Sequence, residues 1–257
     1  VVDECSMVDA ELGRDLLSFD CPLLVLGDPA QLPPIAGGGF FTNTEPDAML
    51  TEVHRQAQDD PIVRMSMDVR EGRELDIGRY GESDVVSRKE LDPERVMNTD
   101  QVLVGRNNTR RAYNMRIRQK QNIEEPLPVA GDKLVCLRNN RKKGLFNGGL
   151  WRVKSRAQSK SRIVTMRVMP DEEFGHKVTK VSVRGECFEG GIDAIPWEQR
   201  KPYDEFDYGY VLTVHKSQGS QWDDVVLFDE SFAFQDSRAR WLYTGITRAA
   251  KRLSIVV

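Results

Sequence analysis

The chain has 257 residues, 39% hydrophobic and 30% charged, enough for one large domain or two smaller ones with real cores. No apolar run reaches the length of a membrane span and nothing at the start resembles a signal peptide; four scattered cysteines without a CxxC pair, and only three histidines, argue against a zinc site and a disulfide scaffold. A reducing cytoplasm is the setting these thiols imply, and the net charge of −3 taken alone predicts no affinity for nucleic acid.

Strand-like runs open and close the chain: VVDE at 1–4, PLLVLGD at 22–28, QVLVG at 101–105, YVLTV at 210–214, VVLF at 225–228 and RLSIVV at 252–257. Most are short, continuous and apolar, as expected of strands covered on both faces in a parallel sheet. Helical patterns alternate with them. DDPIVRMSMDVREG (59–72) offers Asp59 or Asp60 as N-cap, Pro61 at the first helical position and Gly72 as a stop. NTRRAYNMRIRQKQ (108–121) spaces Tyr113 and Ile117 four apart beneath an arginine-rich face, and SRARWLYTGITRAA (237–250) is a third candidate. This alternation predicts an α/β architecture. The middle differs: KLVCLRN (133–139), LWRVKS (150–155), RIVTMRVM (162–169) and KVTKVSV (177–183) read as a small antiparallel β barrel inserted into the α/β part, from about residue 128 to 203.

Charge is segregated along the chain. Lys133–Pro170 carries eleven Lys or Arg and no acid, and Val102–Ile123 carries six, again with no acid; acidic residues collect in 45–100 and 186–236. Segregation of this kind builds a local positive field to which phosphate backbones respond, the alternative being a solvated basic face.

VVDE and LLVLGDPAQLPPI (23–35) each close an apolar strand with a carboxylate, and as neighbours in a parallel sheet both loops emerge at the carboxyl edge, where α/β ligands bind. Asp3 then suits Mg²⁺ coordination, often through water, and Glu4 can orient or deprotonate an attacking water. Gln31 can hydrogen-bond a terminal phosphate or that water. VHKSQG (214–219) sets small and polar residues at another strand exit. Arg248 in TGITRA and Arg55 in LTEVHRQ are of the type that stabilises transferring phosphate, the bland alternative for either being a surface salt bridge.

In order, DE, GDxxQLPP, VHRQ, VHKSQGS and YTxITRA resemble the motifs of superfamily-1 helicases, closest to the RecD/Dda type (exonuclease V alpha-subunit-like), over nearly the whole chain. GDKLVCLRNN (131–140) and KGLFNGGLWRV (143–153) also look like that family's insert. The resemblance implies an α/β fold of RecA-like P-loop NTPase motor domains, the first one partial, with an inserted SH3-like small β barrel. Residues 1–46 would be the remnant of the first motor domain, 47–127 and 204–257 the second, and 128–203 the insert. It implies ATP and Mg²⁺ as cofactors, Asp3 as the metal ligand, Glu4 as catalytic base, Gln31 as γ-phosphate sensor and Arg55 and Arg248 as arginine fingers. Asp28, Gly219 and Gln221 fall among the nucleotide-binding positions. Thr213, His215 and Lys216 lie in the motif that in relatives contacts single-stranded DNA, although His215 packing within its own loop is an equal reading; His54 and His176 read as structural. Arg138, Arg141, Lys142 and Lys143 are the DNA-tethering candidates of the basic insert.

The implied activity is ATP-driven movement 5′ to 3′ along single-stranded DNA, on a duplex with a single-stranded tail. Replication, recombination, repair or nuclease proteins are the implied partners, with no membrane; nothing in these motifs separates DNA from RNA. Two positions depart from the family: Gln221 stands where Glu is common, and Gly245 replaces the usual Ala, which should loosen its helix slightly. The larger departure is that no GxxxxGK[ST] phosphate loop occurs; GGGF (37–40) has no following Lys and Ser/Thr and reads as a loop. The family places its phosphate loop before DE, so the chain reads as a C-terminal fragment expected to hydrolyse little or no ATP. A truncated nucleic-acid- or partner-binding module and a motor subunit of a helicase–nuclease complex are the other readings.

Overall fold

The computed structural model describes residues 1–34, 38–50, 59–156, 162–171 and 177–257. It forms two compact units, one of Val1–Asn107 with Thr213–Val257 and one of Asn108–Leu212.

In the first unit the apolar runs build a sheet ordered β1 (Gly78–Tyr80), β2 (Ser83–Val86), β11 (Ala249–Val256), β10 (Trp222–Phe228) and β3 (Gln101–Val104); Thr213, the last residue of β9 (Val211–Thr213), brings the chain back at the β3 edge. β2, β11, β10 and β3 run parallel, and only β1 turns back on β2. All four residues of β3 are buried, as are the last four of β10 and of β11, which is why these strands read as unbroken apolar runs. The helix α2 (Pro61–Arg70) starts as its sequence dictates: Asp60 accepts from the Ile62 and Val63 N–H groups, and Pro61 occupies the first turn, where no N–H is needed. It packs its buried Ile62, Met65 and Val69 in the layer that also holds α7 (Arg238–Ile246). The short α1 (Ala10–Leu17) is capped by Asp9, and α3 (Pro93–Met97) by Asp92.

The two opening runs behave differently from the expectation of strands covered on both faces. Val2 and Val25 form one isolated parallel bridge, and Val1, Leu24 and Leu26 are 86%, 57% and 46% exposed. Their apolar pattern is that of buried strands, but among the described residues nothing is laid against that face.

The second unit holds α4 (Asn107–Lys120) beyond its first residue, and an antiparallel sheet ordered β7 (Thr179–Arg184), β6 (Ile163–Pro170), β5 (Leu150–Arg156), β4 (Lys133–Cys136), β8 (Phe206–Tyr208). The sheet curls towards closure, because Val183 of β7 bridges Asp204 just ahead of β8. Asp204 holds that seam: it accepts from Asn140 at 2.9 Å, Lys143 at 2.5 Å and the Ser182 N–H at 3.2 Å. Alternating residues of β5, β6 and β7 face inward, and Trp151, Val153, Val164, Met166, Val168 and Phe206 fill the interior. Short helices α5 (Glu186–Glu189) and α6 (Trp197–Arg200) lie between β7 and β8.

Candidate nucleotide and nucleic-acid site

The first acidic pair is placed by backbone pairing. The Val2 N–H donates to Leu24 O at 2.8 Å, Leu26 N–H to Val2 O at 2.8 Å and Cys5 N–H to Leu26 O at 3.0 Å, so VVDE and LLVLGD run side by side and exit together. The approach requires glycine at 27, since a Cβ there would lie 2.5 Å from Cys5 Sγ and 2.9 Å from Cys5 N. Asp3 is exposed and accepts the Glu4 N–H at 2.9 Å. Glu4 is half-buried with φ 52, a left-handed conformation that non-glycine residues hold only under constraint and that concentrates at functional sites.

The loop after the second run is tied to the far end of the chain by three hydrogen bonds. Tyr243 OH donates to Asp28 Oδ2 at 2.6 Å, Leu32 N–H donates to Thr244 Oγ1 at 2.9 Å, and Gln218 Nε2 donates to Leu32 O at 2.9 Å. Burial and the neighbouring Asp28 carboxylate push the Tyr243 hydroxyl up to about 12, so it stays a donor. GDPAQL, VHKSQG and TGITRA, separate in sequence, thus meet in one unit. Gln31 lies within this junction, and its Oε1 is buried with no hydrogen-bond partner among the described residues.

Arg248 is 6% exposed. Its guanidinium donates to Thr244 O at 3.1 Å, Ser220 O at 3.0 Å and Thr247 Oγ1 at 3.1 Å, and it forms no ion pair among the described residues. Burial lowers its pKa, while the charges of Glu4 and Asp28 oppose that shift. A buried cation held only by neutral oxygens has unused capacity for an anion. Arg55, the other arginine expected here, lies outside the described residues, as do His54 and His176.

Gly245 has a reason other than a looser helix. A Cβ there would stand 2.8 Å from Leu227 Cδ2 and 3.1 Å from Cδ1, so this turn of α7 packs directly onto β10. Gly219 takes φ 74 in an open turn, and Gln221 beyond it is exposed. Thr213 Oγ1 accepts the Lys216 N–H at 3.3 Å and caps the 3₁₀ turn Val214–Ser217. His215 on that turn lies against Phe234, ring centroids 5.3 Å apart, and burial lowers its pKa.

Beside this turn is a cavity of about 560 Å³ lined by the Leu32–Pro34 loop, Gly105–Asn107, Thr213, His215, Ala233, Phe234 and Ser237. Glu230, fully buried, anchors its wall by accepting from the Gly105 and Arg106 N–H groups and from Arg106 Nε and Nη2, at 2.7–2.9 Å. Neither Glu230 nor Phe234 falls in a motif that the sequence singles out. The signal that picks out Asp3 and Asp28, an acid closing an apolar strand, is equally present in VVLFDE at 225–230.

In the second unit the basic residues are less free than their acid-free stretches suggest. Arg138 donates to Glu205 at 3.4 Å and to the Tyr203 carbonyl, and lies over Trp197; Lys143 pairs with Asp204. Arg118, 0% exposed, pairs with Asp132, and Arg110 with Asp207 at 2.8 Å. Arg141 and Lys142 are exposed. Among the described residues no group of three His, Cys, Asp or Glu is placed to hold a metal, and no helix is long and apolar enough to cross a membrane.

The UvrD-like helicase C-terminal domain family matches residues 208–256, and an AAA domain family matches residues 1–90. The ATP-dependent RecD2 DNA helicase of Deinococcus radiodurans is 25% identical over 268 aligned residues, taking in 98% of this chain; the chain spans 35% of that relative's length. The crystal structure of Pif1 helicase from Candida albicans superposes with a TM-score of 0.59 at 18% identity, over 99% of this chain and 70% of that one. Bacteroides Pif1 in complex with ADP-AlF3 and single-stranded DNA gives 0.57 at 14% identity, over 98% and 69%. The fold is the mixed α/β, RecA-like fold seen in these helicases, and the chain is similar in sequence to the RecD2 helicase and in fold to the Pif1 helicases.

Proposed function

We propose that this chain supplies the hydrolytic and DNA-gripping residues of an ATP-dependent DNA helicase that moves 5′ to 3′ along single strands. The observation that carries the reading is Arg248: a buried guanidinium with only neutral partners, in the field of Glu4 and Asp28 and in the same unit as the unpartnered Gln31 oxygen. A terminal phosphate would satisfy Arg248, a charge-matched donor, while the attacking water would donate to Gln31 Oε1. Glu4 would take the proton of the attacking water, and Arg55 would join Arg248 at the phosphate. Asp28, Gly219 and Gln221 are the proposed nucleotide neighbours. One exposed carboxylate, Asp3, fits Mg²⁺, which is held by one or two carboxylates together with substrate phosphates and neutralises their charge.

Thr213, His215 and Lys216 are the proposed single-strand contacts, with Arg141 and Lys142 as outlying phosphate contacts. Arg138 and Lys143 contribute less, because Glu205 and Asp204 already offset their charge. We assign residues 1–46 to a first motor domain, 47–127 and 204–257 to a second, and 128–203 to an SH3-like insert, a reading supported by the antiparallel run of β4, β5, β6 and β7 within 128–203. A cytoplasmic setting and replication or recombination partners belong to the same proposal.

These 257 residues contain no GxxxxGK[ST], which favours a second reading of the chain by itself as a binding module. The test is DNA-stimulated phosphate release by the chain alone. The expected result is turnover at background level despite single-strand binding, and robust turnover would overturn the assignment of the missing phosphate loop.

A further inference from the structure

The segment between α5 and β8 carries side chains that neither the hydrolytic nor the single-strand reading uses. Trp197 opens α6 and is 51% exposed, with the exposed Pro196 before it and the exposed Pro202 after the helix. An exposed indole alone is ordinary surface. The charge around this one sets it apart. Two guanidiniums lie over its ring, Arg138 with Cζ 5.1 Å from the centroid and Arg200 with Cζ at 6.0 Å. Both turn to a single carboxylate: Glu205 Oε1 accepts from Arg138 Nη1 at 3.4 Å and from Arg200 Nε at 3.2 Å, and Oε2 accepts from Arg200 Nη2 at 3.3 Å. One carboxylate cannot neutralise two guanidiniums, so a positive charge is left over beside the ring.

Lys201, next in the chain, is exposed and forms no ion pair among the described residues, and the same holds for Arg141 and Lys142 on the turn that Lys143 pins to Asp204. Asp193 and Glu198 are exposed on the segment itself, and cations still outnumber carboxylates. The frame is also fixed in advance. Arg138 Nη2 donates to the Lys201 carbonyl at 3.2 Å and to the Tyr203 carbonyl, which closes the end of α6, and Arg184 lies over the Tyr203 ring with Cζ at 5.9 Å. Pro196 and Pro202 restrict the backbone on either side. A surface held this firmly has little conformational freedom to lose when a partner binds.

We propose that this face docks an acidic segment of a partner protein in which an apolar side chain sits among the carboxylates. The carboxylates answer the surplus charge at Lys201 and at Arg200, whose Nη1 has no partner among the described residues. The apolar side chain packs against the edge of the indole and the flanking prolines. A nucleic-acid base fits less well, because stacking needs an open aromatic face and guanidiniums already lie over this ring.

The test is fluorescence anisotropy of a labelled peptide of alternating Asp and Glu with a Phe at its centre, titrated with the intact chain. The expected result is saturable binding that weakens as salt rises, and that weakens further when Gly replaces the Phe of the peptide. Trp197→Ala should lower the affinity by roughly tenfold or more, and Arg200→Gln by about threefold. Circular dichroism reports whether each variant keeps the fold, and Trp197→Leu replaces the alanine variant if that one does not. Absence of saturable binding, or an affinity unchanged in both folded variants, overturns the proposal. An oligothymidylate that displaces the peptide and itself binds both variants more weakly also overturns it, since the face would then be a nucleic-acid surface.

Discussion

Asp132→Ala should be among the most damaging single changes in the second unit. Arg118 and Asp132 are both 0% exposed, and the guanidinium donates to Oδ1 at 3.0 Å and Oδ2 at 3.1 Å. Arg118 also donates to the Glu125 carbonyl at 2.7 Å and the Leu127 carbonyl at 3.0 Å, and its Cζ lies 4.3 Å from the centroid of the Tyr208 ring. Asp132 accepts in addition from the Val129 N–H at 2.7 Å and Tyr210 OH at 3.0 Å. Removing the carboxylate strands a buried cation and takes the acceptor from two further donors. A stranded buried charge costs about 3–5 kcal/mol. The two carbonyls and the ring that remain on Arg118 keep the loss near the lower end. Against the ~5–15 kcal/mol that stabilises a typical domain, the unit should sit near its unfolding threshold. Urea unfolding followed by far-ultraviolet circular dichroism reads this as a drop in midpoint at unchanged slope. Replacing both partners with apolar residues, Arg118→Met with Asp132→Leu, should lose less than Asp132→Ala, because no charge is left unmatched. A loss below about 1 kcal/mol for Asp132→Ala, or a double variant worse than the single, would refute the reasoning.

Tyr243→Phe removes the donor to Asp28 and should lower stability by about 1–2 kcal/mol, the half-exposed carboxylate keeping the figure modest; an unchanged melting temperature would show that this hydrogen bond does not hold the junction. Gly245→Ala should destabilise by about 1–2 kcal/mol despite the better helix propensity of alanine, because the added methyl meets buried Leu227; a gain in stability would contradict the packing account. His215 has a folded pKa below its unfolded value near 6.5 because it is buried. Its contribution is therefore full above about pH 6.5 and is lost as pH falls through the folded pKa. His215→Gln should flatten the stability profile below pH 6.5, and an unaltered profile in that variant would count against the assignment.

The strands and helices that carry motifs were legible because each has a local cause. QVLVG, VVLF and RLSIVV are apolar runs buried in a parallel sheet, and Asp60-Pro61 is a cap followed by a first-turn proline. The hairpin Gly78–Val86 was not legible, since its strands are short and polar and its place is set by pairing of β2 with β11 across the chain. Charge was misleading for a related reason. Lys133–Pro170 lacks acids, yet Asp171, Asp204 and Glu205 come from outside the stretch to pair with Arg152, Lys143 and Arg138. Local composition reports which charges are present and leaves out the distant partners that offset them. The candidate site divides the same way: Asp3, Glu4, Gln31 and Arg248 stood out by type and spacing, whereas Glu230 and Phe234 gain their roles only when β3 and the 231–237 segment meet.

The most direct test of the account is the salt dependence of single-strand binding, measured by fluorescence anisotropy on the intact chain and on the Arg141→Gln, Lys142→Gln double variant. The account predicts binding that weakens as salt rises, with a log–log slope shallower in the double variant by about 0.7 for each phosphate that is no longer neutralised. Binding that is absent, or that does not change with salt, would contradict it.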